Sequence, residues 1–117
     1  MESKSVIVAL EALAQDHRLA VFRALVQAGR GGLTPTYLGD KLGLPAPTLS
    51  FHLAQLKHAG LIAATRDGRS LTYTANYDVM RAVIAFLTEN CCAGGSCAVT
   101  KPKEKSCEPS ARARRRA

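Results

Sequence analysis

The chain has 117 residues, 47% of them apolar and 21% charged, and carries a formal net charge of +7. That length supports one domain with a modest core and excludes a catalytic domain joined to a regulatory one. No stretch is apolar and long enough to span a bilayer, and Met1-Glu2-Ser3-Lys4 lacks the basic and apolar parts of a signal peptide. A cytoplasmic protein with no membrane contact is expected.

From Ser5 to Gln15, Val6, Ile7, Leu10, Leu13 and Ala14 recur at helical spacing, with Ser3 or Ser5 available as a cap. Asp16 reads as the cap of a second helix carrying Leu19, Val21, Phe22, Leu25 and Val26, which stops at Gly29-Arg30-Gly31-Gly32. Thr34 before Pro35 opens a short third helix that ends at Gly43. After Leu44-Pro45-Ala46-Pro47 a fourth helix buries Leu49, Leu53 and Leu56 and closes at Gly60, with Phe51 and His52 off that stripe. Two strands follow, 61–65 and 70–74, joined at an Asp67-Gly68 turn. A last helix begins near Asn76 and carries two apolar stripes, Val79, Val83 and Phe86 on one and Met80, Ile84 and Leu87 on the other. One stripe serves the core; the second is expected to meet the first helix or a second copy of the chain.

The predicted fold class is mainly α with a β-hairpin wing, in the order α-α-α-α-β-β-α: a winged helix-turn-helix. Residues 1–92 would form the DNA-binding and dimerisation domain, and 93–117 a cysteine-containing loop and a basic tail expected to be disordered. Charge follows the same plan. Residues 17–74 hold seven basic and two acidic groups, while 1–16 and 75–100 are slightly acidic. Such a basic block suits double-stranded DNA. In the helix spanning 47–59, Thr48, Ser50 and His52 are the candidates for base edges or phosphates, and Arg66 and Arg69 on the hairpin tip are candidates for the DNA backbone or a minor groove. Taken singly, Thr48 and Ser50 serve equally as helix caps, and the arginines as ordinary hairpin charges.

The segment from about Leu19 to Leu87 resembles the ArsR/SmtB family of winged-helix repressors. The resemblance rests on Ser50-Phe51-His52-Leu53 with Leu56, on Lys57-His58-Ala59-Gly60-Leu61-Ile62, and on Arg66-Asp67-Gly68-Arg69 with Tyr73. It implies a homodimer built on the first and last helices, bound to a near-palindromic operator and released by a metal ion or metalloid. Two of the family's usual sites are missing. Where an arsenic site would place Cys-x-Cys, the chain reads Tyr37-Leu38-Gly39-Asp40-Lys41-Leu42; of the zinc site on the last helix, Asp78 alone is present, with Met80 where a histidine is needed.

All four cysteines lie late, at Cys91, Cys92, Cys97 and Cys107. A disulfide scaffold would spread them through the fold. The run Asn90-Cys91-Cys92-Ala93-Gly94-Gly95-Ser96-Cys97 resembles the C-terminal site of an arsenic-responsive branch of the family, which implies As(III), and with it Sb(III), as the inducer held by Cys91, Cys92 and Cys97. The chemistry agrees: trivalent arsenic is soft and takes three sulfurs in a pyramid. Adjacent cysteines at a frayed helix end are expected to diverge by about 100°, with Gly94-Gly95 turning the chain so that Cys97 can close the set. The alternatives are a zinc knot that adds Cys107, another soft metal, a redox pair, or incidental thiols. A thiol enzyme fits poorly, because no histidine follows His58 and no phosphate-cradling glycine loop precedes a cysteine.

Overall fold

The computed structural model describes residues 1–94. Cys97, Cys107 and the basic tail therefore lie outside the described residues. Met1–Leu87 forms one compact unit, and the chain from Thr88 onward belongs to a second. The elements follow the expected order: α1 (Ser3–Leu13), α2 (Asp16–Ala28), α3 (Pro35–Leu42), α4 (Ala46–His58), β1 (Ile62–Asp67), β2 (Ser70–Ala75) and α5 (Tyr77–Thr88). Among the described residues no helix is long and apolar enough to cross a membrane.

Local chemistry sets most of the boundaries. The Thr34 hydroxyl accepts from the Tyr37 amide at 3.2 Å, so α3 opens with the cap and first-position proline that its sequence announces. At the end of α4 the Gly60 amide donates to the Lys57 carbonyl and the Leu61 amide to the Leu56 carbonyl, the two bonds of a Schellman closure. Two caps differ from expectation. Glu2, not a serine, precedes α1 and makes no side-chain cap bond. The amide of Arg18 is taken by the Gln15 side chain, which leaves Asp16 inside the first turn of α2, where its charge faces the positive end of the helix.

The core is built from Val21 and Leu25 of α2, Leu38 of α3, Leu49, Leu53 and Leu56 of α4, and Leu61 and Ile62 beside the hairpin. Val6 and Ala9 of α1 and Val83 of α5 join the same cluster. The Leu49-Leu53-Leu56 stripe thus fixes which face of α4 is buried, and so which face remains for a partner. Asn76 ties α5 to this frame. Its amide nitrogen donates to the Gly60 carbonyl at 3.1 Å while its side-chain oxygen accepts from the Val79 amide.

β1 and β2 pair antiparallel, with Ile62 opposite Ala75 and Asp67 opposite Ser70. Gly68 and Arg69 form the two-residue loop, and Gly68 takes φ +66 at its first position, as a type II′ turn requires. A second pairing, absent from the expected plan, adds to the hairpin: Leu33 bridges Tyr73 through two backbone hydrogen bonds of 2.9 and 2.8 Å. It fastens the entry to α3 onto the base of the wing. Gly32 makes this possible, because a Cβ there would strike the Tyr73 carbonyl and lie 2.7 Å from the Thr72 and Thr74 methyls.

Candidate functional site

With Leu49, Leu53 and Leu56 buried, helical geometry turns Pro47, Phe51, Ala54 and His58 outward. Ser50 and Lys57 flank that face on one side, Thr48 and Gln55 on the other, and all four are exposed. Thr48 and Ser50 are therefore open to a groove. Gln55 and Lys57 join them as candidate DNA contacts, because the phase of the leucine stripe assigns both to the open surface. Arg66, near the end of β1, and Arg69, in the turn, are exposed, and neither makes an ion pair among the described residues.

His52 is a correction. It lies three residues after Leu49 and one before Leu53, on the buried side of α4, and is only 7% exposed. Its ring sits 5.6 Å from those of both His17 on α2 and Phe51. Its Nδ1 is buried with no hydrogen-bond partner. It holds α4 against α2 and is not presented to bases. Polarity alone had moved it off the stripe to which its position assigns it.

Burial pushes the His52 pKa below the ordinary 6.5, and the nearby charges of Arg18 and His17 act in the same direction. Between the lowered folded value and 6.5 the unfolded chain binds a proton that the folded chain refuses. Folding stability should therefore fall as pH drops through that window, by at most about 1.4 kcal/mol per pH unit, and this contribution should level off above 6.5. Denaturant midpoints measured from pH 7.5 to 5 should show the fall, and His52→Gln should flatten it. A parent protein as insensitive to pH as His52→Gln would contradict this account of His52.

The cysteine pair forms a second candidate site. Asn90, Cys92 and Ala93 adopt left-handed backbone, with φ of 57°, 60° and 56°. Such conformations cost non-glycine residues about 1–3 kcal/mol each and gather at functional segments. Here they overturn the expected divergence of the two cysteines. The chain has left α5 at Thr88, and the Cys91 and Cys92 sulfurs stand 3.2 Å apart, exposed and outside any disulfide. Among the described residues no group of three metal-binding side chains gathers at this pair.

Comparison with known proteins bears on the whole arrangement. Residues 13–64 match a family of helix-turn-helix domains. The chain is 31% identical over 83 residues to the HTH-type transcriptional regulator YgaV of Escherichia coli K12, covering 71% of this chain and 82% of YgaV. The crystal structure of the ArsR family transcriptional regulator RHA00566 superposes with a TM-score of 0.64 at 27% identity, covering 77% of this chain and 90% of that one. Mb0332 from Mycobacterium bovis, described as a homodimeric winged helix-turn-helix DNA-binding domain and a possible ArsR-family regulator, gives a TM-score of 0.60 at 28% identity over 74% of this chain and 81% of its own.

Proposed function

The chain belongs to the ArsR family of winged-helix transcriptional regulators, and on that premise we propose that it is a cytoplasmic repressor, a homodimer on operator DNA, that lets go when As(III) or Sb(III) binds Cys91, Cys92 and Cys97. The family consists of DNA-binding regulators and not enzymes, which fits a protein that exposes a helix face flanked by polar side chains, two wing arginines and a pair of thiols.

The observation that carries the sensing part is the 3.2 Å approach of the Cys91 and Cys92 sulfurs. Two thiols already this close need little rearrangement to share one soft centre. A bound metalloid would supply a bond to each of three thiolates, with Cys97 the nearest further cysteine in the sequence. Only two residues separate Cys91 from α5. Drawing these thiols together constrains the end of the helix that also carries Ile84 and Leu87. A coupling of ~1–3 kcal/mol, typical of allosteric proteins, is enough to shift operator occupancy.

Ile84 is 54% exposed and Leu87 61%, while Ile7, Val8 and Leu10 of α1 are exposed as well. Apolar side chains of this size on both terminal helices support a dimer, as in the homodimeric Mb0332 domain. A twofold arrangement sets the two copies of α4 for half-sites about 34–36 Å apart. A second reading uses the same cysteines for redox sensing or for zinc. The short sulfur–sulfur approach favours the redox form, since adjacent thiols can join when an oxidant such as peroxide removes two electrons and two protons.

The DNA-binding part is tested by the salt dependence of affinity. The Ser50→Ala, Arg69→Ala double variant should bind operator more weakly, its logarithmic salt slope lower by about one unit for each phosphate that the protein no longer neutralises. Unchanged affinity and slope would remove α4 and the wing from the interface.

A further inference from the structure

Phe51 is 57% exposed on the outward face of α4. It lies in the second turn of α4, within the N-terminal part that meets base edges when such a helix enters a major groove. The leucine stripe turns it outward. The buried His52 ring meets it nearly edge-on, with centroids 5.6 Å apart and planes at 62°.

The surroundings identify the occupant of this face. Pro47, Ala54 and Gln55 neighbour Phe51 one turn away on α4, exposed Ser50 and Lys57 flank that face, and Arg66 and Arg69 add positive charge on the wing. A polyanion fits that setting better than an apolar protein surface does. A phenyl ring in a major groove offers neither donor nor acceptor, and the one apolar group a base pair presents there is the C5-methyl of thymine. We infer that Phe51 reads a thymine methyl in each operator half-site and is a specificity-determining residue. This rests on the reading of α4 as the DNA-contacting helix.

Burying one methyl-sized group is worth about fourfold in affinity, so two symmetric half-sites give about sixteenfold. The test begins with a duplex selected from a random library by the parent protein. Each thymine is then replaced by deoxyuridine, which removes the methyl and leaves the pairing edge intact. One thymine per half-site should prove sensitive, with a fourfold loss per site for the parent and none for Phe51→Ala. Phe51→Leu, with an apolar side chain of shorter reach, should keep part of the dependence. If every deoxyuridine substitution affects the parent and Phe51→Ala alike, Phe51 reads no methyl, although α4 still contacts DNA. If the parent selects no duplex at all, the DNA-binding reading fails and this inference with it.

Discussion

Glu in place of Ile84 or Leu87 is expected to convert the protein to monomers and to lower operator affinity by about 100-fold or more. Both side chains are more than half exposed in the single chain. Burying each aliphatic side chain contributes about 1.5–3 kcal/mol, and a twofold interface contains every residue twice. A carboxylate there is desolvated twice over with no partner assured. Loss of the dimer also removes the advantage of two linked half-sites, which typically amounts to 10²–10⁴ in apparent affinity. Sedimentation velocity at micromolar concentration reads the assembly directly. A monomeric parent, or a glutamate variant that remains dimeric, would remove the terminal helices from the interface.

The cysteine series should show an equally large effect. Cys91→Ser, Cys92→Ser and Cys97→Ser should each remain on operator DNA at arsenite concentrations that release the parent, with the midpoint raised by more than about 100-fold. Changes to groups that merely support a ligand commonly cost 10–100-fold, and removal of a ligand itself should exceed that. Cys107→Ser should respond like the parent, because a pyramidal centre has no use for a fourth sulfur whereas tetrahedral zinc does. Loss of induction in Cys107→Ser would replace the three-sulfur site with a four-sulfur one.

The parts of this protein that were legible in its sequence are those written as periodic or local signals. Leu49, Leu53 and Leu56 recur at helical spacing and are buried together. Thr34-Pro35 opens α3 by a hydrogen bond within one turn of chain. The Asp67-Gly68 step places a glycine where the hairpin demands positive φ. What escaped depends on contacts distant in sequence or on departures from regular backbone. The Leu33–Tyr73 bridge joins residues forty apart through main-chain atoms, and the Gly32 that admits it reads in the sequence only as one more helix breaker in Gly29-Arg30-Gly31-Gly32. The polarity of His52 concealed its place beside Leu49 and Leu53, and burial against α2 could be recognised only once α2 was in position. The approach of Cys91 to Cys92 arises from left-handed backbone at Cys92, which helical periodicity would not anticipate.

The most direct test of the proposed function is a titration of the operator complex, at fixed salt, with arsenite, zinc and peroxide in parallel. Arsenite is predicted to release the DNA at the lowest concentration, with neither zinc nor peroxide doing so in the same range. Persistence of the complex under arsenite, with release by zinc or by peroxide, would contradict the proposed function.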